Sequence, residues 1–453
     1  MANIVILGAG LTGLSAAYHL EQKGFFEYEL FEKEADVGGL CRSVHIDGYT
    51  FDYTGHLLHI NDEYFHTFIA QYVGFENLNA IARRSYVYSQ DRYTKYPYQI
   101  NLKGLPTETM VECIDGFINR PKSRTKPKTF AQWVDRSFGK GFGKHFFYPF
   151  DGKKFDYSVH RLSASWTGRF VPSTTLEQIL KGALEETEDE QIGYNAKFWY
   201  PLKGGIFFWV EKLYHQLQKP VHTNKKVIRI SLKDQIIEFS DGSMEHYKQL
   251  INTLPLKSFI NLIDEPSNSF LKSTYSKLLC NKVINFNLGI NRPNLSDKHW
   301  IYFPETKYPF YRLGFCHNFS PYMAPQNCSS LYGEFSVLNK SQKTIDELLL
   351  QSLKQTKELF KLSSQEIAVE KIITIPHAYV IFNEWRDQYV PKILNTLEQH
   401  NIYSIGRYGA WKYASMQEGL LDGKKIAERL LIMPAMQEVT LIPSKQTSME
   451  KQN

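Results

Sequence analysis

Cysteine is scarce in this chain. Five residues in 453, at Cys41, Cys113, Cys280, Cys316 and Cys328, form no Cys-x-x-Cys pair. An odd, scattered set fits neither a disulfide framework nor a zinc site and suits a reducing compartment. Long hydrophobic runs are also missing, since none approaches the ~18 apolar residues that a membrane span needs. The amino terminus has no basic region or cleavage site, and glycines break its apolar stretch, so no signal peptide is expected. A cytoplasmic protein without a metal centre or a transmembrane segment is the expectation. No dense basic stripe accompanies the net charge of +6, which argues against a nucleic-acid partner. The one basic stretch, Arg120 to Lys128, contains two prolines and no aromatics, and it reads as a solvated loop. No internal repeat is visible.

Apolar and aromatic residues are plentiful: 43% of the chain is hydrophobic, with 30 Phe and 28 Tyr. Disorder is excluded, and at roughly 150 residues per domain the length suggests about three lobes. Asn3-Ile-Val-Ile-Leu7 reads as a buried parallel strand, Leu14 to Leu20 as a helix ended by Gly24, and Tyr28 to Glu32 as a second strand. That is a βαβ unit. From Thr129 to Lys181 the pattern is helical. Glu185 to Glu190 is an acidic surface run, and Val227 to Thr253 holds β-type runs with a turn at Asp241-Gly242. Helical spacing returns over Lys343 to Phe360 and Gly419 to Leu431, with strand-like Ala368 to Ile375 between them and a polar tail after Pro434.

The first strand leads directly into Gly8-Ala-Gly10-Leu11-Thr12-Gly13. Such a turn lets a pyrophosphate approach the backbone at a helix N-terminus. Glu32 follows Gly13 by 19 residues, at the end of the second strand, where its carboxylate can accept ribose hydroxyl hydrogen bonds. Gly38-Gly39-Leu40-Cys41-Arg42 is a second phosphate-friendly element, one that an NAD dehydrogenase does not require.

At these motifs the chain resembles FAD-binding proteins of the amine oxidase and protoporphyrinogen oxidase type. The resemblance extends to Pro201-Leu-Lys-Gly-Gly205, Lys226-Val227-Ile228, and Gly406-Arg407 with Gly419. It implies a FAD site contacted by Gly8, Gly10, Leu11, Thr12, Gly13, Glu32, Lys33, Gly38, Gly39, Leu40, Arg42, Val227, Gly406 and Met416. Further patches resemble the UDP-galactopyranose mutase family, its eukaryotic-type members above all. These are Gly55-His56, Tyr96-Pro-Tyr-Gln99, Pro127-Lys-Thr-Phe130, Trp300-Ile-Tyr-Phe-Pro-Glu305, Pro309-Phe-Tyr-Arg312, Ser320-Pro-Tyr322 and Gly406 to Tyr413.

In that family reduced flavin attacks the anomeric carbon of a UDP-sugar through N5, with ring contraction and no net redox change. The resemblance implies that Arg312 and Arg407 hold the diphosphate, helped by Tyr379 and Tyr413. Trp300 and Tyr302 would line the channel, and Tyr96, Tyr98 and Gln99 would sit at the uridine end. His56, beside the flavin, joins the two arginines as the expected catalytic set. Phe155 stands where the family has a tryptophan, and Asp151 where it has an asparagine. A family arginine aligns with Phe170, beside Arg169. These departures leave the nucleotide and the sugar open.

The expected architecture is α/β. A discontinuous Rossmann-type FAD domain would take residues 1–95, 196–261 and 393–433, with a helical lobe at 104–190 and an antiparallel sheet lobe at 262–392. A polar tail at 434–453 would follow. The resemblance further implies a flavin reductant (NADPH, NADH or a reductase) and a role in cell-surface polysaccharide synthesis; oligomeric state is open. An amine-oxidase-type oxidoreductase is the alternative, and a binding module that has lost catalysis is a third reading.

Overall fold

Parallel pairing of the strands Ala2–Leu7 and Tyr28–Phe31, with helix Leu11–Gln22 between them, starts the first sheet. Near-continuous apolar sequence suits strands buried on both faces. The computed structural model describes residues 2–168, 171–185, 196–264 and 269–439. Strand Met244–Asn252 lies along the free edge of Ala2–Leu7, also parallel, with Val5 opposite Leu250. Ile402–Ser404 pairs in parallel with that strand, and Ile236–Phe239 and Val227–Ser231 extend the sheet antiparallel. One sheet thus gathers segments from the start, middle and end of the chain, the discontinuity that the interleaved motifs predict.

The final helix, Met416–Val439, packs on Leu11–Gln22 at close range. A Cβ at Gly423 would sit 2.6 Å from the Ala16 amide, and the Ser15 hydroxyl donates to the Leu420 carbonyl at 2.6 Å. The helix continues past Pro434 to Val439, where the sequence suggests a polar tail. Proline removes one backbone donor, and here it does not end the helix.

A second sheet has seven strands, in the order Ile367–Ile375, Lys282–Ile290, Ser329–Val337, Arg312–Gly314, Trp300–Tyr302, Ser85–Ser89 and Arg92–Lys95. The strands within 262–392 pair antiparallel throughout, as expected. One parallel pair, Trp300–Tyr302 with Ser85–Ser89, joins to them a hairpin from outside that range. The hairpin over residues 85–95, grouped by sequence with the flavin domain, hydrogen-bonds to this sheet instead. Its turn residues Gln90 and Asp91 both have positive φ, 54° and 58°, which matches the twist of a two-residue hairpin.

Helices Thr107–Ile118, Phe130–Ser137, Tyr148–Phe155 and Leu176–Leu184 make up most of a third region. Thr129 with Gln132 and Thr175 with Gln178 close capping boxes that start two of them. No helix among the described residues is long and apolar enough to cross a membrane, and all five cysteines are unpaired. Arg169, Phe170, the acidic residues 186–190 and the tail from residue 440 lie outside the described residues.

Candidate functional site

Glycines leave a bare backbone cradle where the first sheet meets its helix. A Cβ on Gly13 would lie 1.9 Å from the Gly8 carbonyl oxygen, so only glycine fits there. Gly10 bridges to Gly38, and the Gly38 amide donates to the Ala9 carbonyl at 2.8 Å. The two glycine motifs therefore face each other. Glu32 is 8% exposed, and its carboxylate accepts from the amides of Ala9 at 2.8 Å and Glu34 at 3.0 Å. The Lys225 amide donates to the Glu32 carbonyl at 2.8 Å, which brings the strand beginning at Val227 to the same end. Arg42 donates from Nε to the Gly39 carbonyl at 3.0 Å and lies over the Tyr53 ring. Backbone amides, a helix N-terminus and an acid placed in this way suit a dinucleotide.

Buried Asp52 joins the segment after the second glycine motif to residues 200–206, and its backbone carbonyl accepts from Asn285 Nδ2 of the second sheet at 3.2 Å. Its carboxylate accepts from Ser43 Oγ at 2.6 Å, Tyr200 Oη at 2.5 Å and the Ile206 amide at 3.1 Å. Burial pushes its pKa up to about 6 against those three donors. A Cβ at Gly205 would meet Ser43 Oγ at 2.3 Å, so the Gly204-Gly205 turn rests directly on this network.

The second sheet presents a polar row. Tyr302 is the register partner of Arg312, and Arg312 that of Glu334. Opposite charges directly across two strands attract, and here the pair is bidentate: Arg312 Nε to Glu334 Oε2 and Nη2 to Oε1, each at 2.9 Å. Glu334 has no exposed surface. Its charge, outweighing burial, holds the guanidinium well above its ordinary pKa. Nη1 of Arg312 donates no hydrogen bond among the described residues, so one edge of the fork is left for a ligand.

Arg407 comes from the other sheet's edge, donating from Nη1 to the Ala414 carbonyl at 2.7 Å. Its guanidinium carbon lies 4.6 Å from the Tyr413 ring centre and 5.8 Å from that of Tyr379. Those two rings are nearly parallel, 13° between planes and 6.5 Å between centres. Helix Tyr148–Phe155 adds Asp151, Lys154 and Phe155, spaced to share one helix face. Lys154 Nζ stands 5.1 Å from the Tyr379 ring and 5.8 Å from the Tyr413 ring. Burial raises the pKa of the Tyr413 phenol, but Lys154, Arg407 and Arg312 together outweigh it, and the net direction is down.

The family model described as flavin containing amine oxidoreductase matches residues 11–431. The chain belongs to that family. A crystal structure of reduced UDP-galactopyranose mutase superposes with a TM-score of 0.88 at 26% identity, covering 96% of each chain. A putative protoporphyrinogen oxidase from Exiguobacterium sp. 255-15 superposes with a TM-score of 0.74 over 95% of this chain and 99% of its own. At 14% identity that likeness shows the fold alone. Among curated relatives, 4,4'-diapophytoene desaturase (4,4'-diaponeurosporene-forming) of Staphylococcus aureus (strain COL) is 34% identical over 85 residues. That stretch is 19% of this chain and 17% of the relative's length.

In this member of the family the predicted substrate residues divide by accessibility. Arg312, Arg407, His56, Tyr96, Tyr302, Tyr379 and Tyr413 are half-buried and within reach of a ligand. Tyr98, with no exposed surface, stacks on Phe146 at 5.0 Å, and Trp300, 2% exposed, packs against Phe198. Both side chains pack within the core. Gln99 is buried and donates to the Pro172 carbonyl at 2.8 Å. Asp151 and Phe155 are also buried, and burial pushes the Asp151 carboxyl up to about 6. Tyr96 and Tyr302 meet with ring centres 5.0 Å apart. Of the predicted cofactor residues, Lys33 is exposed and paired with Glu34 at 2.9 Å. A surface cavity of about 540 Å³ beside Glu29, Phe31 and His222 includes none of these residues. Its Glu29 is already paired with Lys219 and His222, each at 2.7 Å.

Sequence reasoning missed Glu334, Lys154, Asp52 and Trp166, whose ring lies 5.3 Å from that of Phe155. The alternation of Ser329–Val337 could have flagged Glu334, a lone charge in a strand buried throughout.

His56 follows Gly55, where a Cβ would collide with Tyr332 Oη at 2.1 Å, so the loop lies flat on the sheet. Burial, then Arg407 and Arg312, lower the imidazole's pKa to about 4, and it is neutral at physiological pH. Below about 6.5 the unfolded chain takes up a proton that folded His56 refuses until about 4. Stability therefore falls as pH drops through that window. A His56→Asn variant should lose about one proton, or ~1.4 kcal/mol per pH unit, from the slope of unfolding free energy between pH 6 and 4.5. Parallel urea titrations at several pH values read this directly, and equal slopes for both proteins would refute it.

Proposed function

We propose that this protein is a flavin-dependent mutase that interconverts UDP-galactopyranose and UDP-galactofuranose or a related nucleotide sugar. The observation that carries the reading is the convergence of Arg312, Arg407 and Lys154 on the Tyr379–Tyr413 pair. Such a cluster suits a dianionic diphosphate and would repel the cationic amine that an amine oxidase consumes. The 26% identity to a reduced mutase over nearly the whole chain supports it as well.

The backbone cradle at Gly8, Gly10, Gly13, Gly38 and Gly39, with Glu32 at its ribose end, fits FAD. When bound and reduced by NADPH, NADH or a reductase in the cytoplasm, FAD supplies the nucleophile for the anomeric carbon. The protein's own work is to hold the leaving group. Arg312, anchored by Glu334, and Arg407, anchored by the Ala414 carbonyl, keep the diphosphate in place while it is detached from the sugar and until it returns. Tyr379 and Tyr413 donate hydroxyl hydrogen bonds to it. His56, held neutral, adds no charge that would compete with the arginines for the phosphates.

The test is conversion of UDP-galactofuranose by purified protein, reduced with dithionite under anaerobic conditions and resolved by anion-exchange chromatography. UDP-galactopyranose should form in the reduced sample only. An untouched substrate, with the flavin of a separate oxidised sample bleached instead by an amine or a lipid-like hydrocarbon, would favour the oxidoreductase reading that the family description allows.

A further inference from the structure

Two adjacent lysines on helix Tyr148–Phe155 have opposite fates. Lys153 Nζ donates to the carbonyls of Glu305 at 2.8 Å and Tyr308 at 2.9 Å, a structural anchor. Lys154, one position and about 100° further round the helix, points its ammonium into the aromatic and cationic site. It stands 4.9 Å from the Phe155 ring, 5.2 Å from Trp166, 5.1 Å from Tyr379 and 5.8 Å from Tyr413. Its side chain is 14% exposed, and its nearest carboxylate oxygen, on Asp151, is 3.9 Å away, beyond hydrogen-bond reach. Among the described residues the ammonium donates no hydrogen bond. An ammonium has three donors, and one this enclosed is costly without acceptors. Burial pulls its pKa down, yet Tyr413, Asp151 and Tyr379 outweigh that, so the group stays charged. Burial pushes the Asp151 carboxyl up to about 6, so it is still largely ionised at neutral pH, but its distance leaves the ammonium without an acceptor.

We propose that Lys154 is a third anion-binding residue of the site, donating to the phosphates of a nucleoside diphosphate alongside Arg312 and Arg407 and setting its preference for a diphosphate over a monophosphate. The proposal rests on the mutase reading and adds to it a specificity residue. A diphosphate presents oxygens on two phosphorus atoms and a monophosphate on only one, and Lys154 reaches the group from the helical lobe, a direction neither arginine covers.

The experiment is binding of UDP, UMP and inorganic pyrophosphate to the flavin-loaded wild type, K154M and K154R, followed by perturbation of the flavin spectrum at several salt concentrations. Methionine keeps the chain's length without the charge, and arginine restores the charge. K154M should weaken UDP and pyrophosphate about tenfold, as expected for one charge-assisted contact, and UMP less than threefold. The salt dependence should flatten, and K154R should recover most of the affinity. Retained flavin absorbance and an unchanged unfolding midpoint report that the variants are folded. Wild-type binding with K154M equally tight overturns the Lys154 assignment and leaves the mutase reading standing. If the wild type binds neither UDP nor pyrophosphate, both fall together. A lower midpoint in K154M with unaltered UDP-to-UMP preference makes Lys154 a packing residue and also overturns the proposal.

Discussion

Replacing Arg312 by methionine should destabilise the protein by about 3–5 kcal/mol, the cost of leaving a buried carboxylate without its partner. Glu334 has no exposed surface and both of its oxygens rest on Arg312. UDP binding should fall at the same time by two orders of magnitude or more, as expected when a charged, ligand-facing fork is removed. A double variant separates the two effects. In R312M/E334Q the stranded charge is gone, so most of the stability should return while UDP binding stays lost. Urea unfolding gives the first quantity and flavin-monitored titration the second. If E334Q on the R312M background restored no stability, Glu334 would not be the source of the cost. If R312M bound UDP normally, the arginine would serve the sheet alone.

The second large effect is at Gly13. Alanine there would put a methyl 1.9 Å from the Gly8 carbonyl oxygen and 3.1 Å from its carbon, both backbone atoms that cannot rotate away. Strand and helix would have to part at the phosphate-binding turn. We expect G13A to lose more than about 4 kcal/mol, a range kept for gross steric conflict, and to purify colourless or insoluble. Gly152 is the control: its Cβ would find only Val159 Cγ1, at 3.9 Å. G152A should fold with its flavin and gain up to ~1 kcal/mol, because alanine lowers the entropy of the unfolded chain. A yellow, stable G13A would remove the steric argument for this turn.

The same contrast explains what can be read from the chain. The expected helix Lys343 to Phe360 is found as Gln342–Phe360, and the expected strand Ala368 to Ile375 as Ile367–Ile375. The glycine turn and Glu32 are equally legible, because their conformations depend on residues a few positions away: positive φ at Gly8, a capping position at Gly10, and an acid at a strand end. The cleft chemistry is less so. Glu334 lies 22 residues from Arg312 and meets it only through the register of two antiparallel strands. The 85–95 hairpin finds its parallel partner more than 200 residues away at Trp300–Tyr302.

By itself, then, the sequence determined the local units: the strand–turn–helix at the amino terminus, the helices with their threonine caps, and the family to which their order belongs. The family resemblance that its motifs carry also pointed to a flavin and to a nucleotide-sugar substrate. Only the tertiary structure decided which side chains share the site. It closed Tyr98 and Trp300 into the core, turned Lys154 inward while its neighbour Lys153 anchors a distant loop, and set Glu334 behind Arg312. The physical reason is that helix phase and strand register are fixed by packing between distant segments, and a slip of one residue in either sends a side chain to the opposite face.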